Sequence, residues 1–267
     1  MNLSQKLKQK YPYLKNISLV DSEYDYSDLK SKLGLAASKL FEIIFNQHND
    51  PRVGIGGGST LFEFVNNIEI KSRKIRLFPT ALIGRGPEIT HVDSTFLTKM
   101  FYFKSRQEAR AFVISIPPLP DKKESALNFL KLLNNEFQEV KWLINAMQKV
   151  DIALVGLGAL MPTGDFDEEM MKVGVSLKEL KDLGVIGGIN YNWFDSNGQQ
   201  VTNFFPTICI NKLIELSKNK TKDIILVAGG AHKVEPIKIA LNVQMVNGIV
   251  SDKQTIYRLF KDKNDFS

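Results

Sequence analysis

Cysteine is almost absent: Cys209 stands alone in 267 residues. An internal disulfide and an all-cysteine metal site are therefore excluded, and the chain suits a reducing cytoplasm. Long apolar runs are missing too. ALVGLGALM and IILVAGGA are among the longest, far short of the roughly 18 to 20 residues that span a bilayer, so no membrane association is expected. The N-terminal MNLSQKLKQKYPYLKN is basic but leads into no apolar stretch, which excludes a secretory signal. There is no repeat period and no low-complexity tract, and proline clusters only at Pro117, Pro118 and Pro120. His48, His91 and His232 lie far apart and make no ligand-spaced pair, so neither a metal nor a cofactor is expected.

Lys and Arg exceed Asp and Glu by 35 to 29. The positive residues are scattered along helical segments rather than gathered into an arm, a balance that fits a phosphorylated small molecule as well as nucleic acid. A hydrophobic content of 43% is ordinary for a globular protein with a substantial core.

Glycine is concentrated where it matters. In RVGIGGGSTLFEF (52–64) a short β-type run enters three consecutive glycines, after which apolar residues recur at helical spacing. Thr60 with Glu63 fits a capping box at the start of that helix. Gly56, Gly57 and Gly58 lack Cβ atoms, so their backbone can turn tightly and bring its amides close to a bound anion.

Beyond an amphipathic helix at 29–45, strand-like runs at 52–56, 75–83, 111–116, 151–157, 223–228 and 247–250 alternate with helical patterns. The helical patterns lie at 59–67, 92–104, 124–148, 176–182, 211–218, 231–242 and 252–261, with capping signals at Ser176/Glu179 and Ser251/Gln254. Such alternation implies an α/β, doubly wound, mostly parallel sheet covered on both faces, here forming a single domain over residues 1–267. NYNWFDSNGQQV (190–201) breaks the pattern and reads as a small β-hairpin extension turning at Asp-Ser-Asn-Gly.

In a parallel sheet the loops after the strands share one edge. Three of them are glycine-marked: GIGGGST, GLGAL (156–160) and AGGAHK (228–233). Lys233 falls in the first turn of a helix, where the dipole disfavours a cation unless something negative compensates. Arg85, in ALIGRGPEI, places a guanidinium at the same edge, suited to a phosphate or carboxylate. The phosphate candidates are Gly56, Gly57, Gly58, Ser59, Thr60, Arg85 and Lys233. Ser94, Gly156, Gly158, Gly229 and Gly230 are the sugar candidates. No lysine follows GIGGG in the Walker position, and Ser59 replaces the third glycine of the dinucleotide fingerprint, so a compact phosphorylated sugar fits better than a nucleoside triphosphate or NAD.

VGIGGGSTLFEFV, GRGPEI with HVDSTFL, DIALVGLGAL, NWFDSNGQQV, and ILVAGGAHKVEPIKIAL through GIVSDKQTIYRLF occur in order from about residue 12 onward. On these segments the chain resembles the sugar-binding effector domain of SorC-type transcription regulators, a relative of ribose-5-phosphate isomerase and glucosamine-6-phosphate deaminase. The resemblance implies a phosphorylated-sugar effector held by Gly57, Gly58, Ser59, Thr60, Arg85 and Lys233, and a homo-oligomer whose state the effector shifts. Many members carry an acid just before the aromatic hairpin; this chain has Gly188 in VIGGIN. The family's helix-turn-helix domain would precede this region, and only LSQKLKQKYPYL does so, hence no direct DNA binding by this chain alone is expected.

The alternative is an isomerase- or deaminase-like enzyme, which needs a placed carboxylate to move a proton. The isomerase's Asp-Gly-Ala-Asp-Glu run is missing, and Ala159, Leu160 and Met161 stand where the deaminase has Asp-Gly-His. Asp165, Asp167, Glu168 and Glu169 form an acidic cluster that most often marks a solvated loop. No catalytic residue is assigned. A second alternative is an interaction protein with a degenerate ligand site.

Overall fold

The computed structural model describes residues 2–21, 25–70, 74–83, 93–105, 109–160 and 172–261. Seven strands form one parallel sheet: β1 (Asn16–Val20), β2 (Arg52–Ile55), β3 (Ile75–Pro79), β4 (Ala109–Ala111), β5 (Ile152–Val155), β9 (Asp223–Val227) and β10 (Gly248–Asp252). Their order is β1-β10-β9-β5-β2-β3-β4. From β2 the chain winds outward to β3 and β4, then crosses back to β5 on the other side of β2 and continues to β9 and β10. The winding direction therefore reverses between β2 and β5, which opens a crevice beyond their carboxyl ends.

The central strands are buried on both faces. β5 (IALV), β9 (DIILV) and β10 (GIVSD) are buried at every position, as apolar runs without alternation require. One face is covered by α2 (Tyr26–Phe45), α3 (Ser59–Asn67) and α4 (Ser94–Lys104). Phe41, Phe64 and Phe101 meet there edge to face, 5.6 to 5.9 Å apart. On the other face lie α1 (Leu3–Lys10), α5 (Lys123–Glu136), α6 (Gln138–Met147), α7 (Leu177–Asp182), α8 (Ile210–Lys218), α9 (Val234–Asn242) and α10 (Lys253–Leu259). A second, antiparallel sheet joins β6 (Gly158–Ala159), β7 (Val185–Ile189) and β8 (Asn192–Asp195).

The α/β, doubly wound reading holds, with local differences. β1 was not expected: NISLV carries only a partial apolar pattern, and it is fixed by in-register pairing with β10 from Asn16↔Gly248 to Val20↔Asp252. The strand expected at 75–83 stops at Pro79. Beyond it the chain turns toward the second sheet, where Ala81 bridges Thr207 and the Leu82 amide donates to the Pro206 carbonyl at 2.9 Å. The strand expected at 111–116 is instead 109–111: its pairing with β3 ends at Leu77↔Ala111, and the last ladder bond runs from the Phe112 amide to the Leu77 carbonyl. The helix expected at 124–148 is interrupted at Phe137, whose backbone is extended (φ −91°, ψ 111°) with no glycine or proline to signal it.

The hairpin is formed differently from the sequence reading. β7 and β8 turn at Asn190 and Tyr191, both in the left-handed region (φ 52° and 62°), a combination that matches a tight two-residue hairpin. Asp195 to Gly198 makes a second turn beyond β8, returning only as far as an isolated bridge between Phe194 and Gln200.

Candidate functional site

The loop after β2 ends in an open helix start. Gly58 is the N-cap of α3, with φ 110°, and no side chain caps it. The expected capping box does not form, because Thr60 already lies inside the first helical turn. α1, α2, α4, α7 and α10 are each capped by a side chain, those of Asn2, Asp25, Asp93, Ser176 and Asp252, whereas α5, α6, α8 and α9 share the uncapped start of α3. The amides of Ser59, Thr60 and Leu61 have no acceptor among the described residues. A Cβ placed on Gly58 would meet nothing within 4 Å. Three donors without a partner among the described residues thus sit at the positive end of a helix behind the exposed Gly58 and Ser59, an arrangement that stabilises an anion.

Gly56 and Gly156 serve the floor beneath that opening. A Cβ on Gly56 would come to 2.8 Å from Leu61 and 2.9 Å from the Leu154 carbonyl, and one on Gly156 to 3.2 Å from the Gly57 carbonyl. The loops after β2 and β5 are therefore pressed together at the point where the winding reverses. Gly158 continues from the second loop into β6, opposite Gly188 of β7. Gly188 is buried, and a Cβ there would lie 3.0 Å from the Trp193 ring.

The loop after β9 is held by a buried carboxylate that the sequence reading did not single out. Asp252 caps α10 through the Thr255 amide (2.9 Å), accepts from the Thr255 hydroxyl (2.6 Å), and accepts from the Gly230 amide (3.0 Å). A Cβ on Gly229 would strike its Oδ2 at 2.5 Å, so the small residue makes room for the carboxylate. The helix signal expected at Ser251 and Gln254 is thus provided one residue later. Asp252→Ala removes both the cap and the partner of a loop amide. We expect a loss of about 2–4 kcal/mol in urea unfolding, with α10 and the Gly229–Gly230 turn exchanging amide hydrogens faster than the central strands.

Ala231–Lys233 forms a 3-10 turn leading into α9, with Lys233 as the residue before the helix. Lys233 is half-buried, and burial holds its ammonium down to about 8. Among the described residues no carboxylate forms an ion pair with it, and its Nζ lies 5.7 Å from the centre of the Tyr26 ring. A buried ammonium with no acidic partner is costly unless an anion arrives. Tyr26, which the sequence reading did not mark, packs edge-on against His232 at 5.1 Å.

Ser94 occupies the wall behind the opening. It is buried, its hydroxyl donates to the Ile55 carbonyl, and it accepts from the Thr80 amide at 2.7 Å, pinning the ends of β2 and β3 to α4. Nearby, the Thr80 hydroxyl donates to Asn190 at 2.7 Å, and Asn192 reaches Thr207 at 2.9 Å and the Ile208 carbonyl at 3.1 Å. This network ties the second sheet to the loop after β3. Arg85, His91 and the acids Asp165, Asp167, Glu168 and Glu169 lie outside the described residues. The structure therefore brings the loops carrying Gly56–Thr60, Gly156, Gly158, Gly229, Gly230 and Lys233 to one sheet edge, and places Ser94 beneath it. Among the described residues no cluster of His, Cys, Asp and Glu is arranged to hold a metal ion, and no helix is long and apolar enough to cross a membrane.

Comparison with known proteins agrees with this layout. The Sugar-bind family model, which describes a sugar-binding domain, matches residues 1–261. The transcriptional regulator LsrR of Escherichia coli K12 is 28% identical over 236 residues, covering 86% of this chain and 68% of LsrR. The full-length sorbitol operon regulator SorC of Klebsiella pneumoniae superposes with a TM-score of 0.78 at 22% identity, covering 97% of this chain and 80% of that one. A DeoR family transcriptional regulator from Listeria monocytogenes gives 0.76 at 18% identity, covering 97% and 98%. At these identities the two solved structures establish the shared fold.

Proposed function

The chain belongs to the family of sugar-binding domains carried by SorC-type transcription regulators, and from that premise we propose that its carboxyl sheet edge binds a phosphorylated sugar as an effector. The observation that carries this reading is the uncapped start of α3 behind the open space at Gly58, beside the reversal between β2 and β5. Ser59 is exposed at that opening and Thr60 lies just inside it. Lys233, on a loop at the same edge, supplies a positive charge that has no acidic partner among the described residues. The sugar hydroxyls are met by the loops that carry Gly156, Gly158, Gly229 and Gly230, with Ser94 behind them, and Arg85 adds a guanidinium.

Occupancy of this edge orders the loops of β2, β5 and β9 together. A contact made in only one of two oligomeric arrangements then shifts their balance, typically by about 1–3 kcal/mol. On this reading the domain acts on DNA through a helix-turn-helix unit rather than by its own contacts, and the oligomer is formed by copies of this chain.

Thermal unfolding against a panel of sugar phosphates, the parent sugars and inorganic phosphate tests the reading. A ligand at 100 times its dissociation constant is expected to add about 2.7 kcal/mol of stability, and the parent sugars much less. Equal shifts from sugars and their phosphates would remove the anion from the account. The same mixtures are expected to show neither ketose formation nor ammonia release, whereas turnover would move the protein to the enzyme class.

A further inference from the structure

α2 packs across β1, β10 and β9, and its first turn reaches the carboxyl edge beside the Gly229–Gly230 loop. Tyr26 in that turn is approached by two ammonium groups: Lys233 Nζ at 5.7 Å from the ring centre and Lys30 Nζ at 4.7 Å. His232 completes the group, edge-on to the same ring at 5.1 Å. The three basic side chains feel one another. Burial lowers the His232 pKa first, and the charges of Lys233 and Lys30 lower it further. Among the described residues none of the three has a carboxylate in an ion pair. Two acids close to the group are bonded elsewhere: Asp25 caps α2 through the Ser27 amide at 2.7 Å, and Asp252 is taken by Gly230 and Thr255.

The spacing separates this cluster from the α3 amides. The loop after β9 and the loop after β2 flank β5, so they stand two strand spacings apart, roughly 10 Å. One phosphate does not span that distance, and Lys233 Nζ stands over the Tyr26 ring of α2, the helix that packs on β1, β10 and β9. We infer that the site takes a sugar ester anionic at both ends, with one phosphate on the α3 amides and a second anionic group, phosphate or carboxylate, held by Lys30 and Lys233 beside Tyr26 and His232. This inference rests on the phosphosugar reading and adds a class of ligand to it. Lys30 and Tyr26 are the specificity residues, since both ammonium groups stand over the one aromatic ring, whose face offsets part of the cost of holding two like charges near each other.

Calorimetric titration of the folded chain with ribose 5-phosphate against ribose 1,5-bisphosphate, and with fructose 6-phosphate against fructose 1,6-bisphosphate, provides the test. In at least one pair the bisphosphate is expected to bind about tenfold tighter or more, the scale of a charged hydrogen bond. Lys30→Ala is expected to reduce that ratio below threefold, and Lys30→Arg to retain it. Circular dichroism and melting of both variants establish that they are folded. A gain for 6-phosphogluconate over glucose 6-phosphate would extend the second position to a carboxylate, while a gain confined to bisphosphates would assign it to phosphate. Monophosphates binding as tightly as bisphosphates, or a ratio untouched by Lys30→Ala, would overturn the inference and leave the phosphosugar reading standing. Absence of binding by every phosphate ester would overturn both.

Discussion

Lys233→Met is expected to weaken binding of the tightest phosphorylated sugar by about 10- to 100-fold, the cost of one hydrogen bond to a charged group, while making the ligand-free protein more stable at pH 7. The two effects share a cause. Lys233 holds its ammonium in a half-buried position with no acidic partner among the described residues, and burial alone drops its pKa to about 8. Without ligand that charge opposes folding; methionine fills similar volume and carries no charge. With ligand, the same charge is the attraction. Titration calorimetry and urea unfolding of one variant read both signs. Unchanged affinity, or a variant that is less stable without ligand, would mean that Lys233 serves the fold rather than the effector.

The pH dependence follows from the same group. An unfolded lysine titrates near 10.4, so between about pH 8 and that value the unfolded chain binds more protons at this position than the folded one. Stability of the ligand-free protein from this residue therefore rises with pH across that window. Effector affinity moves the opposite way, falling as the ammonium is lost above pH 8. In the complex the anion restores the ammonium to a higher pKa, so binding near pH 8.5 is expected to take up protons, measurable as buffer-dependent heats. Asp151 is the reverse case at the amino edge of the sheet. Burial raises it, but hydrogen bonds from Arg52 and Lys222 outweigh that and hold it at about 2. Its contribution to stability is full above pH 4 and fades only as the pH falls toward 2.

The sheet was legible wherever burial forces a pattern. The continuous apolar runs of β5 and β9, and the glycine punctuation after them, identify strands, their loops and the edge where the loops gather. β1 and the break at Phe137 were not, because both depend on partners distant in sequence: Asn16–Val20 is a strand only beside β10, and nothing in NNEFQE marks a helix end. The glycines differ in what they make room for. A Cβ on Gly58 would meet nothing within 4 Å, whereas Gly56 and Gly229 leave space for Leu61 and Asp252. Lys233 was singled out from its place at a helix start, and the loop that carries it does lie at the carboxyl edge of the sheet. Tyr26, whose ring its ammonium approaches, and Lys30, over the same ring, lie some two hundred residues away and carry no local signal that they face that loop.

Gly34→Ala tests how far the opening depends on the packing behind it. Gly34 lies in the interior of α2, where alanine alone would favour the helix by about 0.8–1.0 kcal/mol. Here a Cβ would lie 2.3 Å from the Glu63 Cβ, 2.6 Å from the Glu63 carbonyl carbon and 2.7 Å from the Phe64 amide nitrogen. Two of those three atoms are backbone, so no rotamer change relieves the overlap. Either α2 and α3 separate, opening the Phe41–Phe64–Phe101 cluster, or α3 slides along the sheet. Overpacking of this kind commonly costs 1–3 kcal/mol. Because backbone must move, the net loss is expected at about 3 kcal/mol, a fall of roughly 6–12 °C in melting temperature for a chain of this size. The helix that must shift is the one whose first amides, on the proposed reading, receive the phosphate. Affinity of the remaining folded protein is therefore expected to fall with stability, whereas Asp252→Ala, which leaves α3 in place, loses stability with a smaller loss of affinity for monophosphates. Gly34→Ala melting like the parent and binding as tightly would show that the α2–α3 contact does not set the position of the cradle.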